Sequence, residues 1–400
     1  MQHVAILLSM PNAPLQLDAR TLKRVLWALM FGNIVIGTGV MVVPGTLNDI
    51  ASSLSVSVGV AGQIISSAGI FMCIGAPALA ILVGRSDRRW LLPAVMLWYG
   101  VAHLLCIAAQ TYTQLLLLRL LAMVGPALFT PQAAAAISQI VPIEKRARAM
   151  SLIFLGWSVA SVMGVPLGAW LGGNYGWRTA FGLVAVLAVL NAYWLWRILP
   201  GPIKPPPMPL SAWRETFANR VLMQCVAITL VAGSGQFVLF AYFAPYLQEI
   251  LGASPRDLAL FYACNGALGF VGMVILTKRI DRIGPAPIVT LSLFAFVWSA
   301  VVWGWATSVV GAVVTMAAWS LVSFAWNSSQ QARLAAIAPH AASASIALNT
   351  SAIYLSQAVG AGVGGVLIVH GHMADLHWAA MVFLVAAVAL NRHVRRAHNA

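Results

Sequence analysis

Long apolar runs recur along almost the whole chain, and they restrict its fold more than any other feature. The first clear pair covers residues 56–83 and 91–109, on either side of a short charged turn. Each run is long enough to cross a bilayer as a helix, which takes about 20 mainly apolar residues. Because hydrocarbon offers no water to the backbone, only helices and closed barrels span it. The runs therefore predict an all-α integral membrane protein.

The chain divides into twelve such runs, most of them joined by short connections. We predict transmembrane helices α1 to α12 over residues 24–47, 56–83, 91–109, 114–140, 150–172, 179–199, 221–250, 258–277, 287–306, 309–337, 342–369 and 377–390. A proline-rich stretch follows α6, and since proline interrupts helices, we predict an extended linker there. The predicted order is an N-terminal tail (1–23), a six-helix half (24–199), the linker (200–220), a second six-helix half (221–391) and a basic tail (392–400).

Composition and charge agree with a membrane protein. Hydrophobic residues make up 61% of the chain and charged residues 8%, which excludes an ordinary soluble domain. The surplus of 23 Lys and Arg over nine acids is also typical of nucleic-acid binding, but here the basic residues lie between apolar runs. Short cytoplasmic loops collect Lys and Arg. With both termini in the cytoplasm, Arg178 and Arg256 are outside and Arg119 is inside a span. Every other basic residue lies in a cytoplasmic segment or, like Arg24, Arg197 and Arg333, at the cytoplasmic end of a span. We therefore expect no nucleic-acid partner.

The charged turn after α2 has a second copy after α8, which predicts two related halves in the same orientation. An aspartate at the start of a helix accepts hydrogen bonds from free backbone donors there. The turns can act as a conformational latch, or their basic residues can only fix the orientation in the membrane. The predicted latch residues are Gly84, Asp87, Arg88, Asp281, Arg282 and Gly284.

Helix α5 carries small residues at close spacing, namely Gly156, Gly164 and Gly168, together with Pro166. Small residues let helix backbones approach each other in membranes, and proline permits a bend there. The pattern predicts a closely packed, bent helix.

Taken together and in order, these motifs resemble the major facilitator superfamily, in its twelve-helix drug and sugar efflux branch, and the chain is arabinose-efflux-permease-like. The resemblance extends to Arg119 in α4, the turn at 175–181 and the segment at 242–248. It implies two pseudo-symmetric six-helix halves around a central cavity lined by α1, α4, α7 and α10. The glycine and proline pattern of α5 is similar to the one associated with export.

The polar residues of the spans are the candidate substrate contacts. An ionisable side chain inside a span is functional by default, although the long stem of Arg119 could instead carry its charge to the interface, where Asp49 could pair with it. Amides that face lipid would be unsatisfied, so we expect them to point inward, either to touch substrate or to bridge helices. His103 is expected to be packed and hydrogen-bonded at the periphery. The predicted substrate-binding residues are Asn33, Arg119, Gln236, Tyr242, Trp326, Asn327, Gln330 and Gln331.

All nine acids map to loops or span ends, whereas proton-driven exporters commonly place a carboxylate inside a helix. Two functions remain open. The first is a secondary active, proton-linked exporter or antiporter of small neutral or amphipathic molecules, such as drugs (as in multidrug resistance), sugars or other metabolites. The second is an uncoupled facilitator or importer of a small polar metabolite.

The predicted partners are a small-molecule substrate, protons as the coupling ion and the lipid bilayer of the bacterial inner membrane, with the protein as a monomer. The sequence contains no metal-ligand cluster, nucleotide loop or nucleophile and base set, so we expect no enzyme activity, no cofactor and no metal. The four cysteines lie singly in apolar segments and are expected to be buried thiols.

Overall fold

Twelve helices in the computed structural model, which describes residues 17–204, 210–338 and 342–399, are long and apolar enough to cross a membrane. They are α1 (Ala19–Gly45), α2 (Val58–Leu82), α3 (Arg88–Ile107), α4 (Tyr112–Ile140), α5 (Ile143–Tyr175), α6 (Trp177–Ile198), α7 (Arg220–Leu251), α8 (Pro255–Ile283), α9 (Pro285–Trp303), α10 (Val309–Ile337), α11 (Ala342–Val369) and α12 (Leu376–Asn399). No strand occurs in the described part of the chain. The predicted all-α membrane fold of twelve spans is confirmed.

Local side-chain chemistry sets where several of these helices begin. Asp18 accepts hydrogen bonds from the backbone N–H groups of Arg20 and Thr21, and α1 starts there. Thr111 and Gln114 form a reciprocal capping box at the start of α4. Ser308 accepts from the N–H of Gly311 at the start of α10. Such caps satisfy donors that have no partner within the helix.

Three local features differ from the predicted spans. Helix α1 was predicted to reach residue 47, but it ends at Gly45 and is followed by a separate short helix, Leu47–Ser53. Helices α4 and α7 are each interrupted, at Met123 and at 241–242. Part of the predicted extended linker, Leu210–Ala218, is a short helix. The last proline of the linker is at position 209, so nothing in the following residues opposes a helical turn.

Because successive helices alternate in direction, α1 begins and α12 ends at the same end of the bundle. We call this end the terminus side and the opposite end the distal side. We call α1–α6 the first half and α7–α12 the second half.

Glycines bring α1 into backbone contact with α5. A Cβ at Gly168 would lie 2.7 Å from the carbonyl oxygen of Val42, and one at Gly164 would lie 2.8 Å from the Cβ of Met41. Gly156 faces the carbonyl oxygen of Met30 in the same way. Pro166 lies inside α5 between these contacts. The glycine face of α5 is therefore the face that packs on α1.

The same contact recurs in the second half, between α7 and α11. Gly360 of α11 faces the carbonyl oxygen of Ser234, and Gly364 packs on the ring of Tyr242. Glycine on the fifth helix of each half thus takes the place of side chains that would separate the backbones.

The two halves meet on the distal side. Gly59 near the start of α2 lies against the carbonyl oxygen of Gly365 near the end of α11, 2.6 Å from the Cβ position. Gly173 of α5 packs on Pro255 of α8. Asn48, on the short helix after α1, donates to the side-chain oxygen of Gln248. At the other end of α2, the residues Ile81 and Leu82 are largely exposed. The bundle is therefore closed across the halves at its distal end.

The charged turn between α2 and α3 holds the beginning of the linker. Asp87 caps α3, with Oδ1 accepting from the N–H of Arg89 at 3.0 Å and from the N–H of Ile203 at 2.9 Å. The N–H of Arg88 donates to the carbonyl oxygen of Ile203 at 2.9 Å. The Arg88 guanidinium donates to the carbonyl oxygens of Val83 and Gly84 at 3.1 and 3.2 Å. Asp87 and Arg88 therefore join the end of α2, the start of α3 and the linker.

The second copy of the turn is built differently, which corrects the prediction that it forms a loop equivalent to the first. Helix α8 continues to Ile283, so Asp281 and Arg282 lie in its last turn. The break comes at Gly284, which has a φ of 78° and is followed by proline at the first position of α9. Only glycine adopts such a φ readily. Arg282 is exposed, and the side chain of Asp281 lies outside the described residues.

We predict that Gly168→Ala destabilises the protein by about 1–3 kcal/mol, the range for overpacking a tight contact, because the new methyl group would meet backbone atoms of Val42. The measurement is the apparent melting temperature in detergent. Gly182→Ala is the matched control, since its nearest neighbour is a side-chain methyl at 3.5 Å. Equal melting temperatures for the two variants would contradict the packing account.

We also predict that Asp87→Ala speeds hydrogen exchange at the Ile203 amide by about tenfold or more, since a hydrogen bond to a charged group contributes about 1.5–3 kcal/mol. Prolines on both sides leave few other amides in this peptide, so the signal is clean in mass spectrometry. Asp257→Ala removes a comparable helix cap at the start of α8 and serves as the control. Unchanged exchange at Ile203 in Asp87→Ala would refute the docking of the linker.

Candidate functional site

A pocket lies between the two halves, among α1, α2, α4 and α11. Its lining residues are Val40, Val43, Ile64, Ile65, Ala68, Met72, Arg119, Met123, Tyr354 and Gln357. The family resemblance implied a central cavity with walls from α1, α4, α7 and α10, and this pocket shares α1 and α4 with that expectation and adds α2 and α11. The reason is the close approach of α2 to α11, where a Cβ at Gly69 would lie 2.5 Å from the carbonyl oxygen of Tyr354. Of the predicted site residues, Arg119 lines this pocket.

Arg119 is buried inside the first half, with 2% of its surface exposed. Its Nη1 lies 3.1 Å from Nε2 of His103 on α3, and its Nη2 donates to the carbonyl oxygen of Gly39 on α1 at 3.2 Å. The guanidinium carbon lies 5.2 Å from the centre of the Phe181 ring on α6. The alternative that Arg119 extends to the interface is therefore wrong, because its head group is held among four helices.

Asp49 does not lie beside Arg119 as the alternative required. It sits on the short helix Leu47–Ser53, where its carboxylate faces Gly172 near the end of α5. Partial burial there raises the pKa of the Asp49 carboxyl. The two residues are separated because α1 ends at Gly45 and the chain turns before Asp49.

Neutral groups surround the Arg119 charge. His103 places Nδ1 2.8 Å from the carbonyl oxygen of Tyr99, so Nδ1 carries the proton and the free Nε2 accepts from Arg119. Arg119 Nε is buried without a hydrogen-bond partner. All nine acids of the sequence lie at helix ends or on short helices. Arg119 is thus a buried cation whose described contacts supply no negative charge.

The link between His103 and Arg119 was not predicted, although a signal for it exists. His103 is packed and hydrogen-bonded as expected, but it contacts the central arginine. The two residues stand at similar depths on consecutive antiparallel helices, four residues before the end of α3 and seven after the start of α4. Comparing the depths of polar residues on two helices joined by a short connection would have predicted this contact.

Asn33 and Gln330 bridge helices. Asn33 donates to the carbonyl oxygen of Ile153 on α5 at 3.1 Å and accepts from the hydroxyl of Thr130 on α4 at 2.6 Å. In the second half, Gln330 donates to the hydroxyl of Thr229 on α7 at 2.9 Å. Thr229 in turn donates to Asn349 on α11 at 2.7 Å. Each half therefore carries a buried polar junction between its first, fourth and fifth helices.

The remaining predicted contacts lie outside the pocket lining. The Tyr242 hydroxyl donates to the carbonyl oxygen of Ala361 at 2.7 Å, and its ring packs on Gly62 of α2, which places it in the contact between halves. Trp326 packs on Phe296 of α9 with ring centres 5.9 Å apart. It is not among the residues that line this pocket. Gln236 and Gln331 are half-buried and Asn327 is exposed.

Comparison with known proteins assigns the chain to a family. The sequence profile of the Major Facilitator Superfamily matches residues 29–361. The chain is 29% identical to the inner membrane transport protein YdhP of Escherichia coli (strain K12), over 86% of this chain and 89% of that protein. It is 25% identical to the uncharacterized MFS-type transporter YbcL of Bacillus subtilis (strain 168), over 91% of this chain and 93% of that one.

Solved structures share the fold. A bacterial homolog of the human lysosomal transporter Spinster, in an inward-facing and unoccupied conformation, superposes with a TM-score of 0.78 and 18% identity, over 95% of this chain and 98% of that one. The D-xylose-proton symporter gives a TM-score of 0.74 and 17% identity, over 92% and 97%. The chain therefore belongs to the Major Facilitator Superfamily and is a multi-pass membrane protein with the fold of its transporters.

Proposed function

We propose that the protein is a secondary active transporter that exports small amphipathic molecules by alternating access, from a bacterial inner membrane. The observation that carries the proposal is the pocket between the halves, above which the halves touch on the distal side. In alternating access, two halves rock around a site near the midplane, so that it opens to one side at a time. The pocket has mostly apolar walls with a few polar groups, as in sites for amphipathic molecules. Its volume in the described conformation is about 10 Å³, close to that of one water, so we propose that it widens when the halves move apart to admit substrate.

The distal contacts supply the closed side of this cycle. The contact of Asn48 with Gln248 and the backbone approach of Gly59 to Gly365 both join one half to the other. These contacts between the halves can break without any change inside a half, because the α1–α5 contact lies within the first half and the α7–α11 contact lies within the second. The pocket and both surfaces belong to one chain, so we propose that it works as a monomer.

The charge distribution supports an orientation with the terminus side in the cytoplasm. Basic residues concentrate in the terminus-side connections, as expected for loops that stay inside. The similarity to YdhP, an inner membrane transport protein, supports the same location. In this orientation the described conformation is closed toward the outside.

The direction of transport rests on a smaller set of features. The glycine and proline pattern of α5 resembles that of exporters, and we propose proton-driven export on this basis. The absence of an acid deep inside a span favours the second candidate, an uncoupled facilitator or importer of a small polar metabolite.

We predict that everted membrane vesicles with an acid-inside proton gradient accumulate substrate when they contain the protein. The measurement is uptake of labelled drugs, sugars and organic acids, compared with vesicles from cells without the protein. A protonophore should abolish accumulation, because it removes the driving gradient. A facilitator would equilibrate its substrate equally with and without the protonophore. Gradient-dependent uptake confined to right-side-out vesicles would refute export.

A further inference from the structure

We infer that Arg119, Gln357 and Tyr354 form an anion-binding subsite in the pocket, and that the molecules transported are small carboxylates with an apolar body. The inference rests on the proposed function and names the chemical class of its substrate. It starts from the charge of Arg119. A guanidinium stays protonated in proteins, and a charge held inside a span is costly unless something neutralises it.

The described hydrogen bonds of Arg119 leave its Nε–H without a partner. Arginine has five N–H donors. His103 uses one at Nη1 and the Gly39 carbonyl uses one at Nη2, while the buried Nε–H has no partner. The Nε–H and a neighbouring terminal N–H lie in one plane and match the two oxygens of a carboxylate. A carboxylate would satisfy the orphan donor and supply the missing charge together.

The second half supplies the other polar groups that line the pocket. Tyr354 and Gln357 are three residues apart on α11 and therefore lie on one face of the helix. Both line the pocket with Arg119, and Gln357 is 8% exposed. Their O–H and N–H groups can donate to the same anion from the side opposite to α4. A bound carboxylate would therefore contact both halves at once. A ligand in this position can affect the movement of one half relative to the other.

The other walls select against a bare inorganic ion. The rest of the lining is aliphatic or thioether surface, including Val40, Ile64 and Met72. These side chains offer no hydrogen bonds to a hydrated ion such as chloride. The pocket in the described conformation has a volume of about 10 Å³, close to that of one water, so they would cover an apolar group attached to the carboxylate once the two halves have moved apart. Chloride is the competing ligand with the same charge, and the test separates the two.

The test is isothermal titration of the purified full-length protein with benzoate, with its uncharged isostere benzamide, and with chloride. We expect saturable binding of benzoate that is roughly tenfold or more tighter than that of benzamide, equivalent to about 1.4 kcal/mol. Arg119→Lys keeps the charge but loses the planar edge and should weaken benzoate binding by roughly tenfold, and Arg119→Gln should abolish it. Gln357→Leu should weaken it from the opposite half.

Arg333→Gln is the matched control, because Arg333 is also buried but donates to Asn391 between α10 and α12. It should leave benzoate binding unchanged. Melting temperatures of all variants, measured without ligand, identify any that fail to fold, and Arg119→Lys then carries the comparison. Benzamide binding as tight as benzoate, absence of benzoate binding, preference for chloride, or full binding by Arg119→Lys would each overturn the subsite.

Transport separates this inference from the proposed function. Benzoate binding with the expected variant pattern, but without gradient-driven movement into everted vesicles, would leave the subsite standing and contradict the exporter. Gradient-driven export of uncharged molecules by a protein that binds no benzoate would support the exporter and contradict the subsite.

Discussion

Backbone contact between the first and fifth helices of each half is the interaction on which the rest of the structure depends. In hydrocarbon, apolar side chains gain little by leaving lipid for one another, so helices associate through close packing and hydrogen bonds. Gly164 and Gly168 provide this closeness between α5 and α1, and Gly360 provides it between α11 and α7. The junctions at Asn33 and Thr229 add polar contacts to the same helix pairs. Each half can then move as a unit.

The contacts between the halves also use small residues, but they join helices of different halves. They extend from the distal side, where Gly59 and Gly365 touch through their backbones, to the depth of the pocket, where Gly69 lies against the carbonyl oxygen of Tyr354. The polar groups of the pocket come from both halves, with Arg119 on one side and Gln357 on the other. A ligand there would bridge the two halves beside their own contact at Gly69 and Tyr354. This arrangement explains how occupancy of a small pocket could bias a large motion.

Much of the fold could be predicted from the sequence, because length and hydropathy determine which segments cross a bilayer. Helix α10 begins and ends where the apolar run does, at Val309 and Ile337. Predictions failed where the outcome depends on which way a helix faces. Trp326 lies on a pocket helix of the resembled fold, yet it turns toward Phe296. Asp281 shares a motif with Asp87, yet it ends a helix instead of starting one, because the glycine that breaks the chain comes later.

The site was predictable only in part, for a related reason. Arg119 was identified because a charge inside a span is exceptional. Tyr354 and Gln357 were not, because nothing in the sequence distinguishes them from other polar residues that bridge helices. Their role follows from the register of α11 against α2, which the backbone contact at Gly69 sets.

The central claim is that the halves separate and rejoin on the distal side, and one distance tests it most directly. Ser52 and Arg256 are exposed at the distal ends of different halves and can be replaced by cysteines carrying spin labels, in a background where the four native cysteines are alanine. Pulsed electron paramagnetic resonance in lipid would then give the distance distribution between them. The account predicts a short and a long population whose ratio changes with benzoate. A single unchanging distance would contradict it.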